Sequence, residues 1–382
     1  MSVTQRDSQQ RSALESFRGT VLAHTAGLDI DLAIEQTRSR THSGLVFCGT
    51  PNRNQRRNLS TLDGRVILDS GRWRKTLATS ANPFGLADEK TAEDLGLLPI
   101  DFGNTLDEVA LSAPAAVSLV LTPTGFIPAD RLHLITDVLK ATHASAAPRL
   151  IPLIPTHARV LEPHLIQRMC RLLAAARSPV ALVLADEADQ PLGKAHRIAG
   201  LRTLLSAVPD VLLLGCEPVV AMDAILQGAC AAAIGVNSSL RLPRPPSDSN
   251  GGPAVPRMFL RELWEHRSPP TYAQWYEIAE ESEPSCTSCG DERSFSSYGT
   301  GDHDRKRIYR HTLHTWLELL DELVDCDRDE AQGLLADERR QALDRNAQLR
   351  PYEPLRAFDP VLRQLVMLDY GRLPTSLARR RT

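Results

Sequence analysis

No apolar run in the sequence approaches the roughly 18 residues that a membrane-spanning helix needs, and the N-terminus lacks the apolar core of a secretory signal. Both absences point to the cytoplasm and away from a membrane partner. Nor is there an even, regularly spaced set of cysteines. The 7 present are mostly scattered, which argues against a disulfide framework. The net charge of −3 carries no strong sign, so any nucleic-acid surface must be a local patch. No glycine-rich dinucleotide loop follows the first strand-like run, there is no repeat beyond a β–α rhythm, and no recognisable RNA-binding module is appended. What is present is a chain of 382 residues, 42% hydrophobic and 24% charged, as in globular proteins. It is long enough for one large α/β domain with attachments, or two ordinary domains.

Seven apolar runs carry the rhythm: Leu45 to Phe47, Val66 to Leu68, Val117 to Leu121, Leu150 to Ile154, Val180 to Leu184, Val211 to Leu214 and Ala231 to Ile234. Continuous apolar runs of this length suit strands covered on both faces, and their spacing leaves room for a helix between parallel neighbours. The intervening segments are amphipathic: Leu161, Leu165, Met169, Leu172 and Leu173 share one face, as do Ile198, Leu201, Leu205 and Val208. A third begins with Pro218 and stops at Gly228, the proline-in, glycine-out asymmetry of a short helix. The expected fold is α/β, a (β/α)8 TIM-type barrel with an inserted zinc-binding subdomain, with an open doubly wound sheet as the alternative. The expected divisions are an N-terminal arm over 1–40, barrel strands one to seven over 41–256, a zinc-binding subdomain with its closing helix over 257–325, and a charged helical extension over 326–382. The eighth strand has no clear signal. Met258 to Trp264 reads as a helix, and His311 as opening the last strong one.

Chemistry-bearing residues gather at the ends of the runs. Asp69 and Ser70 close the second run, and Gly71 follows. Thr122 ends the third, Thr156 and His157 the fourth, Asp186 and Glu187 the fifth, Cys216 and Glu217 the sixth, and Asn237 to Arg241 the seventh. On a barrel these ends share one mouth. Any one of them alone is as readily a helix N-cap. Asp69, Asp186 and Glu187 stand above the rest as catalytic candidates, because a carboxylate there is desolvated at a cost unless used or paired. Ser70, Gly71, Thr156, His157, Gly215 and Arg241 are the substrate-binding candidates.

Between Asn52 and Lys75 lie seven basic residues against two acids. Of these, Arg53, Arg56, Arg57, Arg72, Arg74 and Lys75 are expected to meet phosphates, with Trp73 placed to stack on a base. A solvated arginine-rich loop is the alternative. Farther on, Cys286 and Cys289 form a Cys-x-x-Cys pair, a spacing that lets two thiolates share a structural zinc ion. His303, His311 and His314 follow within reach, and two free thiols in a loop are the alternative.

Together these motifs resemble the tRNA-guanine transglycosylase family, a zinc-containing (β/α)8 barrel that exchanges guanine for a 7-deazaguanine. Leu68-Asp69-Ser70-Gly71 is similar to the family's Thr-Asp-Ser-Gly-Gly strand end, whose aspartate is an active-site acid/base. Leu213 to Gly215, Pro218 and Gly228-Ala229 resemble its Met-Gly-Val-Gly-x-Pro stretch and the helix after it. Cys286 and Cys289 match the last two cysteines of its Cys-x-Cys-x-x-Cys motif, and His311 to His314 its His-Asn-Leu-His. The resemblance implies zinc on Cys286, Cys289 and His311, with His303 as a fourth ligand, because Pro284 stands where the first cysteine would be. It implies nucleic acid, DNA or tRNA, as partner, Asp69 as general acid/base, and Asp186 or Glu187 as nucleophile. Ala233 occupies the family's nucleophile position, Thr122 the place of its base-reading aspartate, and Pro155-Thr156-His157 that of its Val-Gln-Gly. Two other readings follow: a non-catalytic relative that binds nucleic acid or an active partner subunit, or a homodimer, and a barrel enzyme acting on a free small molecule.

Overall fold

The computed structural model describes residues 10–62, 64–86, 105–176, 178–188, 190–247, 255–286 and 294–378. Nine parallel segments form one sheet: β1 (Thr20–Thr25), β2 (Ser43–Cys48), β3 (Val66–Asp69), β4 (Leu119–Leu121), β5 (Leu150–Ile151), β6 (Leu153–His157), β7 (Val180–Ala185), β8 (Val211–Cys216) and β9 (Ala231–Gly235). Their order is β5-β4-β3-β2-β1-β9-β8-β7-β6. The two edge segments, β5 and β6, are halves of one strand interrupted at Pro152, which has no N–H to give to a ladder. The first half pairs with β4 and the second with β7. Nine segments less this one division give eight strands around a nearly closed TIM-type barrel.

Alternate residues of each strand face inward. Leu22, Val46, Ile67, Leu121, Leu153, Val183, Leu214 and Ala233 fill the interior, with Leu14 and Phe17 at the floor and Trp73 in the same cluster. The outward set, including Val21, Leu45, Val66, Leu182 and Leu213, packs under the helices. These are α1 (Ile30–Thr37), α2 (Arg53–Leu59), α3 (Leu106–Ser112), α4 (His133–Ala144), α5 (Ile166–Ala174), α6 (Arg197–Ala207), α7 (Pro218–Leu226) and the short α8 (Ser238–Arg241). Among the described residues, no helix is long and apolar enough to cross a membrane.

The missing strand is β1, inside the stretch expected to be an arm. Its apolar core is only Val21-Leu22-Ala23, flanked by Thr20, His24 and Thr25, all buried. Only closure of the ring buries these polar residues, so the sequence pattern alone reads as a loop.

After the barrel, Met258 to Trp264 is not a helix. β10 (Met258–Leu260) pairs antiparallel with β11 (Glu265–Arg267). A seven-residue stretch with five apolar residues around Arg261 and Glu262 fits either period, and Trp264 at φ 48° turns the chain back. α9 (Pro269–Ile278) follows, then α10 (Asp302–Val324), α11 (Arg328–Leu349) and α12 (Pro360–Tyr370). His311 therefore lies within α10 rather than opening it. The helix starts instead at Asp302, with Asp302 and Asp304 in its first turn, favourable at the positive end of the helix dipole. Four side chains tie the last helices to the barrel. Arg202 on α6 and Arg339 on α11 both bind Asp223 on α7 and Asp369 on α12, at 2.7 to 3.0 Å.

Candidate functional site at the barrel mouth

At the ends of β1, β2 and β3, the inward alternation brings His24, Cys48 and Asp69 together. Their ligating atoms all lie within 4.8 Å of one another, and all three side chains are buried. Asp69 does what a strand-end aspartate does locally and more. Its Oδ1 accepts the Gly71 amide at 2.8 Å, and its Oδ2 accepts the Trp73 indole N–H at 3.1 Å. His24 Nε2 stands 3.6 Å from Oδ2. Burial pushes the Asp69 carboxyl up, but the His24 ring, the Gly71 amide and the Trp73 indole outweigh it and hold the group below the ordinary carboxylate value. The group is an anion sealed at the mouth. Trp73 is part of that seal: it is 1% exposed, so it cannot stack on a base in this arrangement.

Gly71 makes the turn possible. Its φ is +69°, and a Cβ there would sit 2.7 Å from Cys48 Sγ. Gly71→Ala combines left-handed backbone strain with a clash against a buried sulfur, and it is expected to cost about 1–3 kcal/mol. Thermal or urea unfolding measures this, and an unchanged midpoint would refute it. Ser70, half-buried, accepts the Arg72 amide at 3.3 Å.

A second group sits at the ends of β6 and β7. The buried Asp186 carboxylate contacts the Arg197 guanidinium, takes the Ala188 amide at 2.9 Å, and has Lys194 Nζ at 3.5 Å. Burial pushes this carboxyl up, and the Ala188 amide and Arg197 more than reverse it. His157 Nδ1 accepts the Arg159 amide at 3.1 Å, which leaves Nε2 to donate to Glu187 Oε2 at 2.9 Å. Glu187 is 72% exposed and open to a substrate. The Thr156 hydroxyl is buried and donates to the Ile127 carbonyl at 2.8 Å, closing the strand-to-loop junction. Asp69 and Asp186 thus belong to two different groups, each with its own partners.

A third group lies at the ends of β8 and β9. Gly215, at φ +67°, carries the β-bulge of β8, and a Cβ there would meet the Leu240 carbonyl at 2.7 Å. Beyond it, Glu217 is 12% exposed and faces a cleft of about 430 Å³ that Lys194, Arg257, His266, Arg267, Arg356 and Asp359 help line. Burial pushes the Glu217 carboxyl up, and Asp359 adds to the rise, against the pull of Arg241 and Arg267. His266 Nδ1 is 3.9 Å from it. Burial, with Arg241, Arg257 and Arg267 nearby, pushes the His266 imidazole well below its ordinary value and keeps it neutral. Arg241 is buried against the Gly235 and Val236 carbonyls, at 3.2 and 3.4 Å.

The basic window borders this mouth. α2 opens at the end of β2 with a capping box in which Asn52 Oδ1 accepts the Gln55 amide at 3.0 Å. Arg53, Arg56, Arg57 and Lys75 are exposed, and among the described residues none of them has an ion-pair partner. Arg72 and Arg74 are half-buried: Arg72 bonds the Gly85 carbonyl, and Arg74 the Ser239 hydroxyl at 3.1 Å.

Cys289 lies outside the described residues. The other expected zinc ligands do not form a group among the described residues. His303 is 77% exposed at the start of α10, and His311 Nε2 lies 3.2 Å from the Phe259 carbonyl. At ~1.5 Å rise per residue the two histidines are roughly 12 Å apart along one helix, so one ion takes at most one of them. Among the described residues, two three-residue groups with metal-ligating geometry lie at the mouth.

His24, Cys48 and His266 carry chemistry that the sequence reading did not select. Cys48 closes the run from Leu45 to Phe47, and the strand-end rule applied there would have found it. His24 sits on the unrecognised strand and His266 on the unrecognised hairpin.

No family model and no curated protein matches the chain. Among solved structures, a protein assigned as a fructose-1,6-biphosphate aldolase from Coccidioides immitis matches at 10% identity, over 82% of this chain and 94% of that one, with a TM-score of 0.35. The 3-dehydroquinate dehydratase of Geobacillus kaustophilus HTA426 matches at 11% identity, over 59% and 86%, with a TM-score of 0.31. Likeness at this level assigns no residue a role. The chain's own strand order and strand-end groups define its class, a TIM-type parallel α/β barrel with a polar, partly cationic mouth.

Proposed function

We propose that this protein is a barrel enzyme of the transglycosylase kind, exchanging a guanine for a 7-deazaguanine in DNA or tRNA drawn to its basic rim. The observation that carries this reading is the set of exposed cations Arg53, Arg56, Arg57 and Lys75, without an ion-pair partner among the described residues, beside a mouth lined by carboxyl groups. A flipped nucleotide is the form in which a base reaches such a mouth. A carboxylate attacks C1′, the C1′–N9 bond breaks, and the departing guanine takes a proton. The incoming base then loses its N9 proton and displaces the carboxylate. Glu187 is the reachable carboxylate for the attack, oriented by His157. Glu217 is the group that gives and recovers the proton. Asp69, sealed under Trp73, orders the mouth rather than meeting the base.

The experiment is incorporation of labelled 7-deazaguanine into tRNA and duplex DNA, together with binding measured across a salt series. The wild type is expected to incorporate the base, and Glu187→Gln and Glu217→Gln to lose about 100-fold or more. Replacing Arg53, Arg56 and Arg57 together by alanine is expected to flatten the slope of log affinity against log salt by about 2 to 3. Absence of salt-dependent binding would sink the proposal.

A second reading, a non-catalytic relative that binds nucleic acid or an active partner subunit, is favoured by one observation. Ala233, at the resembled family's nucleophile position, is packed in the apolar barrel interior. Salt-dependent binding without incorporation, even with a partner supplied, would select it.

A further inference from the structure

We propose that His24, Cys48 and Asp69 form a binding site for one zinc-class divalent ion, separate from any ion at Cys286. Three observations converge. First, an imidazole nitrogen, a thiol sulfur and a carboxylate oxygen from three adjacent strand ends all lie within 4.8 Å of one another. Second, His24 is fully buried, and neither ring nitrogen has a hydrogen-bond partner among the described residues. Buried imidazole nitrogens are costly to leave unpaired, and an ion on Nε2 supplies the missing partner. Third, the 3.6 Å from His24 Nε2 to Asp69 Oδ2 is too long for a hydrogen bond. It is close to the edge of a tetrahedron with ~2.1 Å metal–ligand bonds, which is about 3.4 Å.

The surroundings suit a metal better than a bare ion pair. The Gly71 amide and Trp73 indole already donate to the two Asp69 oxygens, the kind of outer contact that fixes a ligating carboxylate. Gly71 also lets its loop close over Cys48 Sγ, where a Cβ would not fit. A nitrogen, sulfur and oxygen donor set selects zinc, cobalt or nickel over magnesium or calcium, which prefer all-oxygen cages. With one carboxylate and one thiolate, a divalent ion leaves the buried site neutral. Three protein ligands leave a fourth position for a water molecule. The inference does not depend on nucleic acid being the partner.

The test uses the full chain carrying Cys286→Ser and Cys289→Ser, stripped with chelator and titrated with cobalt(II). A thiolate-to-cobalt charge-transfer band saturating at one equivalent, displaced by zinc, is expected. Adding Cys48→Ser is expected to abolish the band, and adding His24→Gln to weaken binding at least about 10-fold. No band in the starting variant, or a band of unchanged affinity after His24→Gln, would overturn the site. The second result stands even if Cys48→Ser fails to fold.

Discussion

Arg197→Met is expected to lower the unfolding free energy by about 3–5 kcal/mol, measured as a shift in the urea midpoint at constant slope. Arg197 is 0% exposed and Asp186 1%. The guanidinium also binds Glu162 at 2.8 Å and the Pro191 carbonyl at 2.6 Å. It therefore joins the loop after β7, the start of α6 and the segment before α5. Methionine retains most of the volume but leaves the Asp186 charge buried, with Lys194 Nζ at 3.5 Å and the His157 ring at 3.8 Å as its remaining neighbours. The double variant Arg197→Met with Asp186→Leu is expected to recover most of the loss, because both charges leave together. A loss below about 1 kcal/mol would show that the pair is solvated. Asp186 is held below its ordinary value, so its contribution is complete above about pH 4 and fades as the pH falls through the lower folded value. The consequence for function is direct: inactivity of an Asp186 variant must be read against its folding.

Ala233→Asp restores the carboxylate that the transglycosylase resemblance calls for, and it is expected to unfold the barrel rather than create activity. Ala233 on β9 pairs with Leu22 on β1 and Leu214 on β8, and it is buried in the apolar interior with Val46, Ile67 and Val183. An isolated carboxylate here costs several kcal/mol or stays protonated, and its extra atoms overpack a small-residue position. The expected result is insoluble protein or a large fall in melting temperature. A stable Ala233→Asp chain with base-exchange activity would show that the interior opens toward the mouth, and would restore Asp69 and Ala233 as the reacting positions.

The barrel was legible because parallel strands covered on both faces announce themselves as apolar runs. Val180 to Leu184 and Val211 to Leu214 are strands in any reading, and the amphipathic segments between them had to be helices. What failed were elements whose burial is supplied by others. Thr20–Thr25 has three apolar residues and becomes a strand because β2 and β9 offer open edges on either side. Met258–Leu260 is too short for its period to be told, and its antiparallel partner β11 decides it.

The site divided in the same way. That Asp69 ends a strand, that Gly71 turns the chain after it, and that cations crowd Asn52 to Lys75 are local facts. They follow from residue type and order alone. Only the tertiary structure decided what Asp69 meets: His24 from an unrecognised strand, Cys48 from the next, and the Trp73 indole N–H. It also separated Asp69 from Asp186, and it buried Glu217 beside a cleft lined by Lys194, Arg257, Arg267 and Arg356. Strand character is written along the chain because burial on two faces demands a continuous apolar run. Which strand ends become neighbours depends on ring closure, and so on pairings that no segment carries within itself.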